Sequence, residues 1–171
     1  MSYARLDEAG LQWPCPSAGH PGTSILHVNE FSGGPRAALR QIPWEPTAEA
    51  VSPEFPMLLT TGRTLYQFNA GTMTMRTPDV FWRPEDTLDL SAEDARQCGV
   101  EHGERVRVVS HHGQTELPVR IVDSLQRGHA FATFHSAEAL VNGLTGPGRD
   151  CVTSTPEYKV TAIRVEKLPS P

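Results

Sequence analysis

The sequence predicts a mainly β domain with short helices, closed into a small barrel and preceded by a proline-rich arm. Three observations predict it. Prolines (15) and glycines (14) are both plentiful among the 171 residues, which favours strands and turns over a helical bundle. From Phe55 onward, apolar runs of strand length recur between turn signals. Only one stretch carries strong start and stop signals of a helix, so there is no regular strand–helix alternation to build a doubly wound sheet.

Residues 1–54 make the arm. WPCPSAGHPGT (13–23) and IPWEPTAEAVSPEFP (42–56) are dense in proline, which removes backbone donors and breaks any apolar period. Within the arm, SILHV (24–28) has the composition of one short strand. The arm lacks the apolar periodicity to fold alone and reads as an extension that packs on something else.

The barrel occupies residues 55–168. FPMLLTT (55–61) is its first strand and DTLDL (86–90) its second. SAEDARQCGV (91–100) is a helix of about two turns: Ser91 is the N-cap, Asp94 completes a capping-box pattern, and Gly99 is the C′ residue. ERVRVVS then alternates, with Val106 and Val108 on one face and Arg105 and Arg107 on the other. HHGQ (111–114) turns the chain, and TELPVRIV (115–122) returns with Leu117, Val119 and Ile121 inward. DSLQRG (123–128) is a turn, HAFATFH (129–135) a strand, and AEALVNGLT a short helix ending near Gly143. EYKVTAIRVEKL (157–168) is the last strand. This inventory suits a small barrel with an inserted helix.

Composition excludes several functions. Net charge is −5 and no Lys/Arg cluster occurs, so a nucleic-acid partner is not expected. No apolar run approaches the roughly 18 residues that span a bilayer, so no membrane insertion is expected. The N-terminus, MSYARLDEAG, has no apolar core of a secretory signal. Three separated cysteines, Cys15, Cys98 and Cys151, fit a reducing, cytoplasmic setting and are too few for a four-thiolate iron–sulfur cluster. The seven histidines lack metal-ligand spacing, and neither a nucleophile elbow nor a placed pair of carboxylates is legible, so neither a metal nor a catalytic residue is assigned. His135, at a strand end, is either a satisfied structural histidine or one that points into a site.

One stretch invites a binding role. TTGRTLYQFNAGTMTMRT (60–77) follows the first strand and is rich in small hydrogen-bonding residues. Thr61 and Thr64 offer hydroxyls. Gly62 and Gly71 let backbone N–H groups approach a ligand, and Arg63 offers a planar fork that matches a phosphate. Gln67 and Asn69 offer amides able to read a heterocycle edge. The stretch therefore has the composition of a cradle for a phosphorylated, heterocyclic cofactor, but it matches neither a Walker A loop nor GxGxxG. The same composition also describes a well-satisfied surface loop, and pattern alone does not separate the two. Near the end, Lys159 is either an exposed strand lysine or a point charge for a phosphate, and Asn142 either a helix cap or a ligand contact.

LQWPCP (11–16), HPGTSILH (20–27), FPMLLTTGRTLYQFNAGTMTMRT (55–77), AFATFHSAEALVNGLT (130–145) and TPEYKVTAIRVEKL (155–168), in that order, resemble the C-terminal part of the catalytic subunit of molybdenum- or tungsten-dependent formate dehydrogenases. They resemble periplasmic-type nitrate reductases less closely. The resemblance implies a molybdopterin-dinucleotide-binding domain with the double-psi form of barrel. It implies a metal held by two pyranopterin guanine dinucleotides, bis-molybdopterin guanine dinucleotide, contacted by Thr61, Gly62, Arg63, Thr64, Leu65, Tyr66, Gln67, Phe68, Asn69 and Ala70. Later contacts are implied at Phe134, Asn142 and Lys159, with Tyr158 adjacent. The family often has His where this chain has Gln67, and Arg where it has Met75. Catalytic and metal-ligating residues are expected in upstream domains of the same subunit, which makes that remainder the expected partner. The competing expectation is a cofactor-free barrel that serves as an assembly or interaction module.

Overall fold

In the computed structural model, which describes residues 1–169, the chain divides into two compact units, Met1–Glu45 and Pro46–Pro171. The first unit contains a single short helix, α1 (Tyr3–Glu8), and no sheet. The Arg5 guanidinium holds it together by donating to the carbonyls of Ala18 and His20, each at 2.6 Å. Thr23 adds a backbone bond to Gln12 at 2.8 Å and a hydroxyl bond to the Pro14 carbonyl at 2.6 Å. SILHV forms turns rather than a strand, because His27 adopts φ 57 in the middle of it.

The second unit is a closed barrel of six strands: β1 (Met57–Gly62), β2 (Leu88–Leu90), β3 (Arg105–Ser110), β4 (Gln114–Ile121), β5 (His129–Thr133) and β6 (Thr161–Lys167). Their order around the barrel is β1-β5-β2-β4-β3-β6. The pairs β1–β5 and β2–β4 are parallel and the rest antiparallel. Closure removes every sheet edge, which is what allows such short strands to form a stable sheet. Alternate side chains fill the interior: Leu59, Leu88, Leu90, Val106, Val108, Ala132 and Ile163 are each 0% exposed. On the outer face, the Arg120 guanidinium grips the Asp89 carboxylate across the β2–β4 pair, with Nε donating to Oδ1 at 2.7 Å.

The helix α2 (Ala92–Cys98) starts and stops where the sequence says it should. The Ser91 hydroxyl accepts from the Asp94 N–H at 3.1 Å, and Gly99 takes φ 68. The capping box is not reciprocal, however. Rather than from the Ser91 N–H, the Asp94 carboxylate accepts from the Ser91 hydroxyl at 2.7 Å and from the Gly128 N–H at 2.9 Å, which ties the helix start to the turn before β5. The predicted helix at AEALVNGLT shrinks to a 3-10 turn, Val141–Leu144, entered through Leu140 at φ 47. The last strand begins at Thr161 rather than at residue 157, so Tyr158 and Lys159 belong to the loop that feeds it. Among the described residues no helix is long and apolar enough to cross a membrane.

Candidate functional site

Three segments meet at one end of the barrel. The first is the long excursion between β1 and β2, which contains only two 3-10 turns, Thr74–Arg76 and Pro78–Phe81. The second is the turn after β5, and the third is the loop before β6. Between them lies a cleft of about 510 Å³. Arg63, Asn69 and Ala70 from the first segment face Phe134 and Asn142 from the second and Tyr158 from the third. Thr145 and Pro156 also line it. A neighbouring cavity of about 520 Å³ shares Ala70, Phe134 and Asn142, and adds Thr72, His135 and Leu140.

Six of the expected residues therefore line one cleft. Of the others, Thr61 and Lys159 brace the loop that lines it, Gly62, Thr64 and Gln67 shape the chain nearby, and Leu65, Tyr66 and Phe68 do not line it. Thr61 is buried. Its hydroxyl donates to the Tyr158 carbonyl at 2.7 Å, and its own carbonyl accepts from Lys159 Nζ at 2.5 Å. Thr60 adds a hydroxyl bond to the Lys159 carbonyl at 2.9 Å. These bonds strap the loop before β6 to the end of β1. Lys159 Nζ also sits 5.0 Å from the Tyr158 ring centroid and 6.0 Å from that of Phe134, beside both aromatic faces of the cleft. Gly62 gives room for the Phe131 ring, since a Cβ there would lie 2.5 Å from it. The Thr64 hydroxyl accepts from the N–H groups of Tyr66 and Gln67, both at 3.1 Å, which turns the chain at the head of the excursion. Tyr66 stacks on Trp82 at 5.8 Å, Leu65 is 92% exposed, and Phe68 is exposed too.

Gln67 is buried and committed. Its Nε2 donates to the carbonyls of Arg83 (3.1 Å) and Asp79 (3.4 Å), and its Oε1 accepts from the Thr74 hydroxyl at 2.5 Å. It stitches the two ends of the excursion together, with both Nε2 hydrogens already engaged. Gly71, at φ 69, lets the excursion touch the turn after β5. A Cβ there would stand 2.9 Å from the His135 carbonyl oxygen.

The turn after β5 hangs on a buried carboxylate that the sequence did not advertise. Asp86 is 1% exposed and accepts from the Thr133 hydroxyl (2.7 Å), the His135 N–H (2.9 Å) and the Ser136 N–H (3.0 Å). It thereby fixes the backbone on both sides of Phe134. His135 is buried beside it. Nδ1 lies 2.8 Å from Asp86 Oδ1 but off the line of a hydrogen bond, and among the described residues neither ring nitrogen has a hydrogen-bond partner. Buried polar atoms without partners are rare, and they concentrate where a ligand or water completes the structure.

The loop before β6 is shaped by Asp150, whose carboxylate accepts from the Thr153 hydroxyl and from the N–H groups of Thr153, Thr155 and Val152. These donors, the Thr153 side chain first, hold its carboxyl far below the usual carboxylate range. The folded loop presents Pro156 and Tyr158 to the cleft.

The donor set suits a phosphorylated, heterocyclic ligand. Arg63 supplies a cationic fork, Asn69 and Asn142 supply amides, and Phe134 and Tyr158 supply flat apolar faces. A second depression of about 260 Å³ on the barrel side suits no phosphate, because Glu85, Asp86, Glu116 and Glu138 line it against the single cation Arg105. Among the described residues no group of three or more His, Cys, Asp or Glu is placed to hold a metal ion.

Comparison with known proteins follows the same segments. The molydopterin dinucleotide binding domain matches residues 57–162. The chain is 37% identical over 171 residues to the F420-dependent formate dehydrogenase 2 subunit alpha of Methanococcus maripaludis, covering 98% of this chain and 25% of that protein. It is 35% identical over 185 residues to a periplasmic nitrate reductase of Desulfovibrio desulfuricans, covering 98% and 24%. Its fold resembles part of acetylene hydratase from Pelobacter acetylenicus, with a TM-score of 0.55 at 14% identity over 67% of this chain and 19% of that one. The chain thus spans about a quarter of the length of the curated relatives it matches.

Proposed function

Because the chain belongs to the molydopterin dinucleotide binding domain family, we propose that it positions the cofactor of a molybdenum or tungsten formate dehydrogenase, as one domain of the catalytic subunit. One observation carries this reading. Segments some 65 and 90 residues apart in sequence converge on a single cleft that carries one arginine, two amides and two aromatic faces.

In this role the chain binds and orients. Arg63 would hold a pyrophosphate by paired charge-assisted hydrogen bonds. Asn69 and Asn142 would read heterocycle edges, and Phe134 and Tyr158 would cover flat rings. Lys159, held by the Thr61 carbonyl, adds positive charge near the same wall. The bound cofactor, bis-molybdopterin guanine dinucleotide, would supply the metal that takes two electrons as formate becomes CO2. The protein groups for that step are assigned to the rest of the subunit, and three free cysteines leave no full set of thiolates here for an iron–sulfur cluster. A cytoplasmic setting fits these free thiols.

The remainder of the catalytic subunit is the partner this reading requires. Large apolar side chains of the β1–β2 excursion support it: Leu65 is 92% exposed, Phe81 85% and Trp82 68%. The same exposure is what a cofactor-free assembly module would display, so the two readings part at the cleft. Asn142 is exposed there. Replacing it by alanine is expected to leave the melting temperature unchanged within about 1–2 °C, as for most surface substitutions, while lowering the guanine nucleotide that co-purifies with the intact protein several-fold. Unchanged nucleotide content would favour the assembly module.

A further inference from the structure

The β3–β4 hairpin tip, residues 111–113, lies against the loop that carries Asn142 and Thr145. Contact is close enough to require glycine at Gly113, where the neighbour is backbone, and at Gly146 a side chain would have to push the His112 ring aside. A Cβ on Gly113 would stand 2.5 Å from the Gly143 carbonyl oxygen, and a Cβ on Gly146 would stand 2.6 Å from His112 Nε2. The Ser110 hydroxyl joins the two loops. It accepts from the N–H groups of His112 (3.1 Å) and Gly113 (3.2 Å) and donates to the Leu144 carbonyl at 2.7 Å.

A third segment holds the tip in place. Glu49 Oε1 lies 2.7 Å from His112 Nε2, and Glu49 Oε2 accepts from the Ala162 N–H at 3.0 Å, just where β6 begins. Glu49 is partly buried. Burial raises its carboxyl, but the hydrogen bonds from His112 and Ala162 and the neighbouring His111 and His112 outweigh this and leave it lowered. Nearby, Phe55 is held between the His111 ring at 4.0 Å and the Arg164 guanidinium at 5.0 Å, and Arg164 reaches Glu54 at 3.3 Å. The stretch from Glu49 to Phe55 is therefore fastened to the barrel at both ends.

We propose that Glu49 and His112 are positioning residues for the cleft: their pair seats the hairpin tip under the 142–146 loop, and that seat sets where Asn142 and Thr145 stand on the cleft wall. Neither residue lines the cleft, so their effect is transmitted through Ser110, Gly113 and Gly146. The proposal rests on the proposed function for what the cleft holds, but not for the seat itself.

The test compares Glu49→Ala, Glu49→Gln and Gly146→Ala in the intact protein that carries this chain, with two readouts. The first is hydrogen exchange at the Gly143 and Thr145 amides, which bond to the carbonyls of Leu140 (2.8 Å) and Asn142 (3.2 Å), set against the Ala95 amide in α2. The second is guanine nucleotide retained on purification. Glu49→Ala and Gly146→Ala are expected to speed exchange at Gly143 and Thr145 at least tenfold, leave Ala95 unchanged, and lower retained nucleotide about tenfold. Glu49→Gln keeps an acceptor for Ala162 and a polar group for His112, so it should stay near the parent in both. The proposal is overturned if exchange at Gly143 and Thr145 does not change, if Ala95 speeds up equally, or if local loosening leaves nucleotide content intact. Should Glu49→Ala fail to fold, Gly146→Ala decides. If the parent protein itself retains no guanine nucleotide, the proposed function fails, and the exchange data alone decide the seat.

Discussion

Replacing Asp86 by alanine will lower the unfolding free energy by about 3–5 kcal/mol, the cost expected when the acceptor that serves three donors in the interior is removed at once. The carboxylate serves two buried donors, the Thr133 hydroxyl and the His135 N–H, and the half-buried N–H of Ser136. For a chain of this size the loss corresponds to a fall in melting temperature of roughly 10 °C. Asp86→Asn keeps one acceptor oxygen and should recover about half of it. Thermal unfolding of the two variants checks this. A fall of under about 1 kcal/mol for Asp86→Ala would mean that the turn after β5 is held by packing and not by this carboxylate. The functional consequence is local as well. Phe134 lies between the anchored residues, so the cleft should lose nucleotide in Asp86→Ala before the barrel unfolds.

Arg63→Ala should behave in the opposite way, with a large effect on the ligand and almost none on the fold. Arg63 is exposed and forms no ion pair among the described residues. Its removal should shift the melting temperature by no more than about 1–2 °C. A charge-assisted pair of bonds to a phosphate is worth about 1.5–3 kcal/mol, so cofactor retention should fall about 10–100-fold. Enzyme that stays loaded should turn over at close to the parent rate, because Arg63 is assigned to holding and not to chemistry. Metal content per subunit, measured beside turnover, separates the two effects. Full metal occupancy in Arg63→Ala would remove Arg63 from the cofactor's contacts.

Much of the barrel was legible because its strands obey a two-residue period over one buried face. Val106, Val108, Leu117 and Val119 are inward as expected, and Ser91 and Gly99 bound α2 as their chemistry requires. What escaped the sequence is nonlocal. Nothing near Asp86 announces that it will serve a turn 49 residues later. Nor does local pattern announce that β1 and β5 run parallel, since Leu59 and Ala130 become partners only through closure of the barrel. The predicted helix near Gly143 is shortened at Leu140, which takes a left-handed conformation, and the segment is pinned from a distance by the Ser110 hydroxyl on the Leu144 carbonyl.

A cleft was legible in its location, and the division of labour among its residues was less so. Small hydroxyl and amide residues after β1 did mark a cleft, and Arg63 and Asn69 line it. Thr61 and Gln67 have the same chemistry as those residues but spend their hydrogen bonds on the walls. Composition cannot separate a group that faces the ligand from one that holds the wall, because both need donors and acceptors. Thr145 and Pro156 were missed because neither carries a distinctive group; they reach the cleft through the turns that place them.

What the cleft holds decides between a cofactor domain and an assembly module. The intact protein that carries this chain should be purified without added nucleotide, denatured, and its released small molecules quantified alongside its metal content. Guanine nucleotide is expected in fixed proportion to molybdenum or tungsten, both lost together in Arg63→Ala. A folded protein that releases no guanine nucleotide would contradict the cofactor reading and leave the barrel as an assembly module.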